Sequence, residues 1–157
     1  MKVRLVALLT ASLIAAPASF AKDDGPHDKA IKARQALMQL YSFNLGILSG
    51  MAKGKVDYNA EAASAAANNL LASVSMDQSA MWPPGSHNGD EANRKNRALP
   101  AIWDTYPKIV DAGKSMNEAA TELQAVAGNG VDALKSAMGA AGKSCKGCHD
   151  DFRAKKK

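Results

Sequence analysis

The sequence predicts an all-α fold, an antiparallel four-helix bundle, and three observations predict it. Apolar residues recur at alternating spacings of three and four along several long segments, the period of helices packed at small crossing angles. The chain is rich in Ala, Leu, Met, Lys and Glu, with few β-branched runs. No strand-like alternation competes with the helical period.

Lys2 and Arg4, the apolar run Leu5 to Ala16 and the small-x-small site Ser19-Phe20-Ala21 predict a secretory signal peptide over residues 1–21. The apolar run is too short to span a bilayer, and no later segment is apolar enough. Residues 22–157 then form one ordinary domain. Its first helix is expected from Pro26, which suits a first turn, to about Ala52 before Gly54. The inward stripe is Ile31, Arg34, Met38, Tyr41, Leu45 and Leu48. The second runs from about Asn59 to Met76 with Ala63, Ala66, Leu70 and Val74 inward.

Residues 77–99, with Pro83-Pro84-Gly85, form a long connection of the kind that is functional or wraps a face of the domain. The third helix is expected from Pro100 to Ala127, with Ile102, Tyr106, Ile109, Gly113, Met116, Ala120 and Leu123 inward. Pro107 predicts a kink or break in its first turns. Gly128-Asn129-Gly130 stops it, since such residues tolerate the left-handed conformation of a helix end. The fourth helix keeps the period with Val131, Leu134, Met138, Ala141, Cys145, Cys148 and Phe152.

On that last stripe lies Cys145-Lys146-Gly147-Cys148-His149, which holds the chain's two cysteines. Two thiols at i and i+3 share a helix face and can reach the two vinyl groups on one porphyrin edge. The adjacent imidazole then comes under the iron. This is the attachment signature of covalent haem c, one per chain, with His149 as an iron ligand. A redox disulfide is the competing reading, but such sites open a helix in a βαβ context, and no strand is visible. A structural zinc site needs four ligands, and His27 and His87 have no metal-like spacing. With haem between the helices near the C-terminal one, and an export signal, the expected location is the periplasm.

An all-helical chain with this motif at its end resembles the class II c-type cytochromes, the cytochrome c′ family and its low-spin relatives. The likeness covers nearly all of the mature chain. It is carried by Ile31-Lys32-Ala33-Arg34-Gln35-Ala36-Leu37-Met38, by Pro100-Ala101-Ile102-Trp103 and, most specifically, by Cys145 to Arg153. The resemblance implies a left-handed bundle, often dimeric through its first two helices, that carries electrons or binds nitric oxide or carbon monoxide. It also implies Arg34 and Gln35 at the haem propionates, Met38 on the distal face and Arg153 beside proximal His149.

The residues support parts of this independently. Arg34 interrupts an apolar stripe, and a buried guanidinium needs an acceptor such as a propionate. The alternative is a snorkelling surface residue. Met38, one turn on, leaves two outcomes open. A thioether bonded to iron gives a six-coordinate haem suited to electron transfer, whereas a Met that only lines the pocket leaves a five-coordinate iron open to small gases. Met51, Met76, Met81 and Met116 are weaker ligand candidates, and Trp82, Trp103, Tyr41 and Phe152 are expected in packing. Arg153 is either a cation that acts on the proximal side or a helix-end charge.

Loss of Lys2 and Arg4 with the leader lowers the formal charge of +5 by two, and two propionates would offset most of the rest, so nucleic acid is not an expected partner. Lys155-Lys156-Lys157 is expected as a solvated helix end that complements the dipole, with a patch for an acidic redox partner as the alternative. The leading functional reading is an electron carrier with periplasmic redox partners. Gas binding is the alternative, and a homodimer is compatible with Ala63, Ala66 and Ala67, which would serve packing within the monomer equally. An enzyme is not expected, because the haem-facing stripe of the first helix has no His to act as an acid or base.

Overall fold

The computed structural model describes residues 25–156, and the expected signal peptide lies outside the described residues. Four long helices are α1 (Asp28–Ala52), α2 (Ala60–Ser75), α4 (Tyr106–Val126) and α5 (Val131–Phe152), with a single turn, α3 (Ala101–Asp104), ahead of α4. Each long helix packs on two neighbours, α1 on α2 and α5, and α4 on α2 and α5. The diagonal pairs do not touch, which is the arrangement of a four-helix bundle. No strand forms among the described residues, only an isolated bridge between Ala98 and Arg153.

Local chemistry explains the boundaries. Asn59 caps α2, its side-chain oxygen accepting from Ala62 N at 2.8 Å. Gly54 ends the turn after α1 with φ of 64°. The expected third helix divides in two: Thr105 leaves helical geometry, with φ −123° and ψ 48°, and Pro107 falls in the first turn of α4, where its missing N–H leaves no bond unmade. That break turns Tyr106 out of the expected inward stripe, to 65 % exposure. Of the three residues read as the next stop, Gly130 alone has a positive φ, 107° with ψ 162°, and it precedes α5 rather than adopting the left-handed conformation expected at a helix end. Gly128 serves close approach instead, since a Cβ there would lie 2.5 Å from Ser64 Oγ on α2.

Small residues set how closely the helices meet. Ala63, Ala66 and Ala67 of α2 and Ala119 and Ala120 of α4 are buried together with Leu48, Leu70, Leu123 and Leu134. The α2 alanines are therefore spent inside the monomer, the second of the two roles their pattern allowed. The core cluster is made mostly by the C-terminal half of α1, by α2, and by the parts of α4 and α5 nearest their shared turn. Beside this core a cleft opens along α1, from Arg34 to Lys53, and along α5, from Lys135 to Arg153.

Candidate functional site

A cleft of about 1560 Å³ runs between α1, α4 and α5. Arg34, Gln35 and Met38 line it from α1, and Cys145, Cys148 and His149 from α5. Residues more than a hundred positions apart are thus gathered in one space. Tyr41, Trp82, Phe152 and Arg153 line it too. Trp103 does not, and its indole N–H instead donates to Trp82 O at 3.1 Å. Among the weaker methionine candidates, Met76 and Met116 reach the wall, whereas Met51 is buried in the core.

The α5 spacing works as its period predicts. Cys145 and Cys148 are free thiols, each half-buried at the cleft wall. Burial pushes both above the ordinary thiol value, and for Cys148 the neighbouring Cys145 adds to it. His149 moves the other way: burial, then Arg153 and Arg97, hold its pKa below the usual imidazole range. At neutral pH the ring is neutral and offers a lone pair, the form a metal requires. Met116 was a weak candidate in the sequence, yet Cys145 Sγ donates to its sulfur at 3.8 Å, and Ser144 Oγ lies 3.2 Å from the same atom.

Arg34 is 3 % exposed, which rules out a snorkelling side chain. Its Nη1 donates to Ser86 Oγ at 2.6 Å and Met81 O at 3.4 Å, and its Nη2 to Ser86 O and to Asn96 Oδ1 at 3.2 Å. The guanidinium carbon also stands 4.9 Å from the centre of the Trp82 ring. All these partners are neutral, and burial lowers the pKa to about 10, so the group is a cation at pH 7. The 77–99 connection is thereby clasped to α1, an arrangement its composition did not reveal. Gln35 donates to Lys95 O at 3.1 Å in the same connection.

The basic tail departs from the expected helix end. α5 stops at Phe152, and Arg153 is extended at φ −123° and ψ 120°. Lys155 and Lys156 therefore lie beyond the helix.

The family model described as Cytochrome C' matches residues 29–153. The chain belongs to the cytochrome c′ family. It is 40 % identical to cytochrome c-554 of Cereibacter sphaeroides over 147 residues, 94 % of either chain. It is 36 % identical to cytochrome c′ of the same organism over 150 residues, 95 % of this chain and 98 % of that one. A solved cytochrome c′ from Rhodobacter Spheriodes superposes with a TM-score of 0.78 at 35 % identity, covering 82 % of this chain and 97 % of the other.

Cytochromes c′ bind haem c covalently, and the cleft has the room and the lining for that group. Gly46, Gly113, Gly139 and Gly142 line it from three helices, and a Cβ at each would meet nothing within 4 Å. A glycine in a helix interior costs about 1 kcal/mol relative to alanine. Four of them along one space are explained by a flat group that needs their room. The wall also carries Arg34, Lys53, Arg97, Lys114, Lys135 and Arg153 and, among the described residues, no carboxylate. That charge suits a macrocycle bearing two propionates. Size, sulfur donors and charge all fit haem c.

Proposed function

We propose that the protein is a periplasmic electron carrier in which haem c is bonded through Cys145 and Cys148, with His149 and Met38 as the iron's ligands. The observation that carries this reading is that Met38 and His149 line one cleft from different helices, α1 and α5. The chemistry that haem supplies is one-electron exchange at iron. The chain's own residues do the rest. His149 is held neutral by burial and two arginines. Arg34 keeps Nε–H for a propionate, its other donors being bound to the 77–99 connection. Gln35 and Arg97 flank the same region. Cytochrome c-554 of Cereibacter sphaeroides is one of the relatives this chain resembles, at 40 % identity.

A second reading is sequestration or sensing of nitric oxide or carbon monoxide at a five-coordinate haem. Solved cytochromes c′ from Alcaligenes xylosoxidans carry each of these gases. Here Met38 would be wall rather than ligand. The residues 1–21 signal peptide belongs to both readings, since either requires export for haem attachment. No helix of the described residues is long and apolar enough to cross a membrane.

The absorption spectrum of purified ferrous protein decides between them. Met ligation gives a sharp, split visible band that carbon monoxide leaves unchanged, and Met38→Ala converts it into broad high-spin bands that respond to the gas. A low-spin spectrum that survives Met38→Ala would overturn the distal assignment. Native protein that already binds carbon monoxide would favour the second reading.

A further inference from the structure

We infer that the surface formed where the C-terminal tail joins the 94–99 segment is the docking face for an acidic redox protein. This rests on the electron-carrier reading and specifies the partner's chemistry. Leu99 N donates to Phe152 O at 3.0 Å, Ala154 N to Arg97 O at 2.9 Å, and Arg97 Nε to Ala154 O at 2.6 Å. These bonds, with the bridge between Ala98 and Arg153, tie together two segments more than fifty residues apart. Arg97 is thereby set beside the Arg153–Ala154 stretch, with exposed Lys155 and Lys156 next in sequence on one side and exposed Lys95 on the other.

None of these five cations forms an ion pair among the described residues. Asp150, one turn before the tail, is taken by Lys146, and exposed Asp151 is the nearest acid in sequence. Like charges held side by side repel, so the backbone bonds that hold the tail work against a local cost. A tail left free at a helix end would avoid that cost. Position supplies the reason for accepting it. Arg97 and Arg153 also line the cleft, and both act electrostatically on His149. The patch therefore adjoins the proximal edge of the haem site, where a partner's redox centre would come nearest. A cationic face steers an acidic partner to that edge and fixes its orientation, with a force that salt weakens.

The test follows reduction of the ferric holoprotein by reduced flavodoxin, an acidic one-electron donor, in stopped flow at low and high ionic strength. The rate should fall at least tenfold between 10 mM and 200 mM salt, about the span over which screening collapses from 30 Å to under 10 Å. Lys155→Glu/Lys156→Glu should slow reduction about tenfold at low salt and flatten the salt dependence. Lys55→Glu/Lys143→Glu makes the same change of net charge away from the tail and should alter the rate less than threefold. Reduction by a small uncharged hydroquinone should be alike in all three proteins. Equal slowing by both pairs of substitutions, or by neither, overturns the docking face and leaves the carrier reading intact. Slow reduction of the native protein by both donors overturns the carrier reading and the docking face with it.

Discussion

Arg34 is where a single side chain does most to shape the site. Four of its N–H donors go to Ser86, Met81 and Asn96, so one guanidinium satisfies two backbone carbonyls, a hydroxyl and an amide oxygen. Removing it leaves those acceptors without their donor, at about 1–3 kcal/mol for each that stays buried. Arg34→Met should lower stability by about 3 kcal/mol and open the 77–99 connection to limited proteolysis before the helices unfold. Arg34→Lys keeps the charge but not the planar fork, so it should recover only part of the loss. Equal protease resistance in Arg34→Met and native protein would refute the clasp. The sequence made Arg34 conspicuous as a charge on an apolar stripe. It could not name the partners, because Ser86 and Asn96 lie 52 and 62 residues away in a segment without periodicity. The shared placement of His149 and the two cysteines was legible because their spacing puts them on one side of a helix. Met38 was legible as a wall residue for the same periodic reason, but coordination depends on distances that a period does not encode.

Among elements, the first two helices and the start of the last were legible to within two residues, since a 3-4 stripe with glycine or an Asx residue at its ends specifies both body and boundary. The third was not. Pro107 signalled a break, but the break falls at Thr105, two residues earlier, because a proline is welcome in the first turn of the helix it begins. Connections between elements were the least legible, and Tyr58 shows why. Its hydroxyl donates to Ala127 O at 2.7 Å and accepts from Gly130 N at 2.9 Å, so the α1–α2 turn is latched to the α4–α5 turn across the end of the bundle. No local signal marks a tyrosine for that role. Tyr58→Phe keeps the ring and removes both bonds, which should cost about 1–3 kcal/mol. A fall in the thermal midpoint of several degrees is expected, with the haem spectrum unchanged because Tyr58 does not line the cleft. A spectral change of the same size as that in Met38→Ala would mean that the latch also shapes the site.

At the scale of the whole molecule, neither the packed core nor the cleft accounts for one apolar surface. On the outer side of α1, Leu40 is 52 % exposed and Phe43 is 66 % exposed, with exposed Ala33 and Ala36 leading up to them. These positions share one helical face, and none of Ala33, Ala36, Leu40 and Phe43 lines the cleft. For this chain the α2 alanines cannot supply an interface, being buried in the monomer, whereas the Leu40–Phe43 face can. We expect a two-fold homodimer in which this face meets its copy, since a closed pair requires a self-complementary patch. Phe43→Asp would place a carboxylate against its own symmetry mate in an apolar contact and should shift the native dimer to monomer in sedimentation velocity at micromolar concentration. The visible spectrum and the rate of reduction by flavodoxin should stay the same, because neither Met38 nor the basic tail is touched. Native protein that already sediments as a monomer, or a dimer that survives Phe43→Asp and Leu40→Asp together, would show that α1's outer face serves something other than self-association.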